Sequence, residues 1–160
     1  MACQSTNSHV VFSEGRLTEG YGLGISTSGN LSGWVQPNDD GMCMIYPSGQ
    51  EWGAVFITVG EPTDPPRPSE NFSDYQRLSL ELRGQVGGET VLIALKDNHD
   101  PDDGTETQVR ASGITTNWQS FEFDLERFSN ADREQLYVVI EFLFEEIPQT
   151  VCFRNIRYIP

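Results

Sequence analysis

With 160 residues the chain has room for one hydrophobic core, and two ordinary domains would not fit comfortably. Its 24 acidic and 10 basic residues leave a formal charge of −14 with no run of lysine or arginine, which excludes nucleic acid and anionic lipid surfaces as natural partners. The hydrophobic residues, 37% of the total, are spread along the whole length, so the acidity reads as a solvated surface, and no apolar stretch reaches membrane-spanning length.

Residues 1–9 read as a flexible tether and 10–160 as one domain. The start, Met1-Ala2-Cys3-Gln4-Ser5, lacks the charged and hydrophobic regions of a signal peptide. Cys3 is open to two readings, a stray tail thiol or a lipid attachment point. Ala2-Cys3 before the polar run Gln4-Ser5-Thr6-Asn7-Ser8 resembles the mature start of a bacterial lipoprotein, which implies an extracellular or cell-envelope location.

Beyond the tether, glycines, prolines and Asn/Asp clusters cut the chain into short runs of period two, the spacing of half-buried strands. Strands are expected at Met42 to Tyr46 and at Gly53 to Val59, each bounded by turn residues. Glu61 to Asn71, with Pro62, Pro65, Pro66 and Pro68, cannot supply ladder donors and is an extended surface connection. Gln76 to Arg83 puts Leu78, Leu80 and Leu82 on one face and Arg77, Ser79, Glu81 and Arg83 on the other. A Gly84 to Gly88 turn leads into Glu89 to Asp97, whose unbroken apolar centre suggests a strand covered on both faces. Further strands follow at Thr107 to Ala111, Trp118 to Leu125, Leu136 to Phe144 and Val151 to Tyr158, with one helical turn expected at Ser129 to Glu134. So many short strands with regular turns predict an all-β fold, a β-sandwich or jelly roll of two antiparallel sheets.

Cys43 and Cys152 both fall in apolar strand-like runs, where they are either buried thiols or a bridge formed in an oxidising compartment. Catalytic residue types are sparse. His9 lies in the tether and His99 in an acidic loop, and no serine has nucleophile-elbow glycines around it. Carboxylates are so abundant that no pair stands out.

Three segments carry a resemblance: Leu82 to Glu89 followed by Val91 to Asp97; Ile114 to Leu125; and the closing Cys152-Phe153-Arg154-Asn155-Ile156-Arg157-Tyr158. Together they resemble non-catalytic carbohydrate-binding modules of the galactose-binding-domain-like jelly-roll type. The resemblance implies a concave sheet face that binds a polysaccharide or oligosaccharide without cleaving it, in a protein expected to be a monomer. It covers most of Trp52 to Tyr158 and fits the first fifty residues only loosely. Many such modules hold a structural Ca2+ through an acidic residue of the last strand, where this chain has Arg154. A second cation site is conceivable in the loop Asp97 to Glu106, where Asp97, Asp100, Asp102 and Asp103 offer hard oxygen ligands without EF-hand spacing.

Sugar binding requires a flat aromatic face and a few polar groups for the hydroxyls. The candidate platforms are Trp34, Tyr46 and Trp52, with Trp34 preferred, because Trp52 borders a buried-looking run. The polar partners expected on the face opposite the leucines are Arg77, Glu81 and Arg83, joined from neighbouring strands by Gln108, Arg110 and Glu141. Glu141 is a lone charge in an apolar strand and needs hydration or a partner, for which Arg83 and Arg110 are the candidates. The alternatives are a small glycan-active enzyme using a carboxylate pair, and a structural or adhesive cell-envelope sandwich protein.

Overall fold

The computed structural model describes residues 7–160, so Cys3 and most of the expected tether lie outside the described residues. Strand β1, His9–Ser13, begins one residue before the expected domain start. Eleven more strands follow: β2 Arg16–Leu17, β3 Tyr21–Thr27, β4 Val35–Asn38, β5 Gly41–Tyr46, β6 Trp52–Val59, β7 Arg77–Gly84, β8 Val91–Asp97, β9 Val109–Ala111, β10 Gln119–Asp124, β11 Leu136–Glu145 and β12 Gln149–Ile159. The only helical elements among the described residues are 3-10 turns at Leu125–Arg127 and Arg133–Gln135. The expected turn at Ser129 to Glu134 thus forms four residues later, because it is Asp132 whose side chain accepts from the Glu134 N–H at 3.0 Å.

The strands form two antiparallel sheets packed face to face, as the strand pattern predicts. One sheet has five strands in the order β3-β6-β11-β8-β9. The other has seven: β10-β7-β12-β1-β2, with β5 also on β12 and β4 on β5. β12 is long enough to pair β5 through Gln149 to Phe153 and β1 through Ile156 to Tyr158. Between these stretches its register against β7 shifts, where Asn155 takes a left-handed conformation (φ 53°).

Period two decides which side chains enter the core. In the five-stranded sheet, Ile25, Val55, Phe142, Ile93 and Val109 form one cross-strand row. All but Ile25 are buried, and Ile25 packs against the same core. From the other sheet come the three leucines of β7, each fully buried and each worth about 1.5–3 kcal/mol of burial. Phe142 stacks on Phe153 at 4.9 Å across the core, and the Tyr158 hydroxyl donates to the Val139 carbonyl at 2.6 Å, tying sheet to sheet.

Cys43 and Cys152 face each other on β5 and β12 and are joined by a disulfide that closes a separation of 109 residues. The two open readings of these cysteines thereby resolve in favour of the bridge.

Candidate functional site

The outer face of the five-stranded sheet is a groove of about 1040 Å³. Its floor is the row directly beside the core row: Ser26, Ala54, Leu143, Leu92 and Arg110, paired across all five strands. The next row, Gly24, Phe56, Glu141 and Ala94, crosses four strands. Trp52, opposite Glu145, marks one end of the groove. The other end is walled by the proline-rich connection and the acidic loop, which contribute Pro62, Thr63, Arg67, Asp102 and Glu106.

Two aromatics lie on this floor. Trp52 is 42% exposed and lines the groove. Phe56, four residues further along β6 and on the same face, lies across β3, where a Cβ on Gly24 would fall only 2.2 Å from its Cε2. The ring can lie there only because Gly24 has no side chain.

The walls are locked by ion pairs. Asp102 accepts from Lys96 Nζ at 2.5 Å and from Arg67 Nη2 at 2.7 Å, clamping the two loops to β8. The Arg67 bond first, and the Lys96 bond after the opposing effect of burial, hold the Asp102 carboxyl down to about 2. Arg67 also stacks on Tyr137 at 4.9 Å, and the Tyr137 hydroxyl accepts from the Thr63 N–H at 2.8 Å.

Glu141 is 8% exposed and lies between Phe56 and Ala94. Burial first, and the facing Glu106 carboxyl second, raise its carboxyl well above the usual carboxylate range, while Lys96 draws it down. The charged groups acting on it are thus Glu106, Lys96 and Asp102, not Arg83 or Arg110 as expected. Glu106 and Glu141 both line the groove, and the Glu106 carboxyl acts on Glu141 as a hydrogen-bonding neighbour.

The structure divides the expected binding residues between two surfaces. Trp52, Gln108 and Glu141 line the groove, and Arg110 stands on the same face by register. Arg77, Glu81 and Arg83 belong to the other sheet and face away from the groove. Arg77 pairs with Glu122 at 3.6 Å, Glu81 accepts from Arg154 at 2.9 Å, and Arg83 stacks on Trp118 at 4.8 Å. These are the ordinary pairings of a wet sheet surface. Trp34, the preferred platform, is only 6% exposed and packs edge-on against Tyr46 and Phe144. Tyr46 is 2% exposed and donates to the Gln50 carbonyl at 2.9 Å. Both rings are core, because Gly53 beside them gives no Cβ to keep them out: one placed there would fall 2.6 Å from Tyr46 and 3.4 Å from Trp34.

The four aspartates suggested for Ca2+ do not converge. Asp97 accepts the N–H groups of His99, Asp100 and Asp132; Asp100 accepts from the Asp97 N–H and from Asn130; Asp102 holds Lys96 and Arg67; Asp103 accepts from Thr105. Their oxygens serve loop geometry and ion pairing, and no group of three or more acidic, His or Cys side chains placed to hold a metal occurs among the described residues. At the last strand the Arg154 guanidinium itself sits among carboxylates, bonded to Glu81 and Asp40.

The sequence reading missed Phe56, Arg67, Lys96, Glu106 and Tyr137. Phe56 had a signal, since it shares the parity of Trp52 along β6 while Val55 and Ile57 have the other. The loop contributions had none, because they depend on how two long connections fold back.

Residues 10–160 match the profile of carbohydrate binding domain 30. The chain belongs to that family. It is a non-catalytic carbohydrate-binding module with the sandwich fold. Among solved structures, a family 30 carbohydrate-binding module is similar with a TM-score of 0.64 and 18% identity, covering 95% of this chain and 98% of the other. A family 11 module from Clostridium thermocellum, in complex with a β-1,3-1,4-mixed-linked tetrasaccharide, matches at 0.64 and 11% identity over 98% and 97% of the two chains. A family 29 module complexed with mannohexaose matches at 0.61 and 12% identity over 97% and 92%. No curated protein matches this carbohydrate-binding domain 30 chain.

Proposed function

We propose that this module holds one polysaccharide chain lengthwise in the groove, with Trp52 and Phe56 stacking on sugar rings and Glu141, Gln108 and Arg110 taking hydroxyls. The observation that carries the reading is the pair of aromatic side chains on one face of β6, roughly 13 Å apart along the strand. That spacing suits separate rings of one oligosaccharide better than a single sugar. The ligands named with the family 11 and family 29 structures, a mixed-linked β-glucan tetrasaccharide and mannohexaose, support a chain-like ligand. The reading needs no Ca2+ in the acidic loop, whose carboxylates are already engaged. An extracellular or cell-envelope setting is supported by the disulfide. A lipid on Cys3 and a monomeric state belong to the reading on sequence grounds.

Calorimetric titration with the mixed-linked tetrasaccharide and with mannohexaose tests it. Trp52→Ala and Phe56→Ala should each weaken binding roughly tenfold or more, while Arg77→Ala, on the opposite sheet, should not. Unchanged affinity in both aromatic variants would overturn the placement of the ligand.

A further inference from the structure

Beside the Phe56 ring the groove contains two acids that the aromatic reading does not require. Glu141 Oε1 and Glu106 Oε1 are both buried without a hydrogen-bond partner. An unpartnered buried polar atom costs about 1–3 kcal/mol, more when charged. Two such atoms on neighbouring carboxyls that line one groove are both satisfied by a single proton held between them. Among the described residues, neither cation that lines the groove, Lys96 or Arg67, is free to replace that proton. Lys96, from the neighbouring strand, is committed to Asp102, and Asp102 is shared with Arg67.

We infer that Glu106 and Glu141 share one proton and together form a hydroxyl-recognising, specificity-determining pair at the loop-walled end of the groove, selective for neutral glycans over uronate-bearing ones. The inference rests on the groove being the glycan site. An acid paired with a carboxylate keeps acceptor lone pairs for sugar hydroxyls while carrying one negative charge instead of two. A ligand carboxylate placed there would meet that remaining charge, with Asp102 close by and both nearby cations already paired.

Proton linkage follows from the same geometry. A sugar stacked on Phe56 covers the pair further and so favours its protonated form. Affinity for a neutral glycan should therefore be flat while the pair keeps its proton and fall by up to about tenfold per pH unit once the free protein loses it. The groups that face Glu141 and set that point are Glu106 and Asp102 from the acidic loop and Lys96 from β8; the paired residues of β6 and β8, Phe56 and Ala94, do not titrate.

The test is titration of the mixed-linked tetrasaccharide from pH 6 to 10 with wild type, Glu141→Gln and Glu106→Gln, alongside a polygalacturonate oligomer. The amide in Glu141→Gln replaces the shared proton with a permanent donor, so this variant should bind with an affinity independent of pH, while wild type weakens toward pH 10 and neither binds the uronate. An infrared difference spectrum at neutral pH should show a protonated carboxyl in wild type and lose it in Glu141→Gln, with or without ligand. A wild-type affinity constant across the range, the same pH slope in Glu141→Gln, equal uronate binding, or no protonated carboxyl at neutral pH would each overturn the inference while leaving the groove reading intact. No binding of the mixed-linked tetrasaccharide or of mannohexaose at any pH would overturn both.

Discussion

Glu89 is a carboxylate buried at the turn between β7 and β8, and its surroundings show why that is tolerated. The backbone N–H groups of Gln85, Val86 and Gly87 donate to it at 2.7–2.8 Å, and a Cβ on Gly84 would fall 2.0 Å from its Oε1. Burial pulls its carboxyl upward, but the backbone bonds outweigh burial and hold it below its ordinary value. A folded-state value depressed in this way means that the contribution to stability is present at neutral pH and is lost as pH falls through that value. Glu89→Gln should therefore lower unfolding free energy by about 1–3 kcal/mol at pH 7 in urea titration, with the gap from wild type narrowing in acid. The same side chain was legible in sequence only as the residue after a glycine turn, because nothing in Gly84 to Gly88 announces three donors aimed at one point. Trp34 and Trp52 carry a similar lesson. Both are tryptophans next to a glycine, and what separates core from platform is strand parity and sheet assignment, of which sequence shows only the first.

Among the elements, β3 was the hardest to read and the groove depends on it. Its outward positions include Gly22 and Gly24, so Tyr21-Gly22-Leu23-Gly24-Ile25 looks like a flexible segment, yet a Cβ on Gly22 would fall 2.7 Å from the Gly60 carbonyl oxygen. Small residues there make room for Phe56 and for the chain leaving β6. Tyr21 begins this strand, and its hydroxyl donates to Glu70 at 2.5 Å. β4 contains Pro37, which fits an edge strand and hides it from a propensity reading. Later strands, with their alternating leucines, phenylalanines and valines, were legible to within a few residues. The loop clamp belongs at this scale too. Asp102→Asn removes the charge that joins Lys96 and Arg67, so it should raise amide hydrogen exchange in residues 61–68 and 98–106 and weaken glycan binding several-fold. Global stability should fall by only about 1 kcal/mol, because Asp102 is mostly solvent-exposed.

For the whole molecule, a single sequence tells which residues alternate but not which of two sheets receives them. That is why Arg77, Glu81 and Arg83 were grouped with Gln108, Arg110 and Glu141, although the sandwich core lies between the two sets. The global constraint visible in the fold is the Cys43–Cys152 bridge. A cross-link spanning 109 residues restricts the unfolded chain, and such bridges commonly contribute about 2–4 kcal/mol. The double variant Cys43→Ser with Cys152→Ser should melt several degrees lower in calorimetry while binding glycan with unchanged affinity, since both residues lie on the sheet facing away from the groove.

His9 of β1 is paired directly with Tyr158 of β12, on the sheet opposite the groove. Residues 9 and 158 therefore lie side by side on the sheet opposite the groove, an arrangement that suits a fold spliced between other domains or strung in tandem. In such an array a second groove would meet the same polysaccharide at an effective concentration set by the linker, and avidity would grow without altering a single contact in the site.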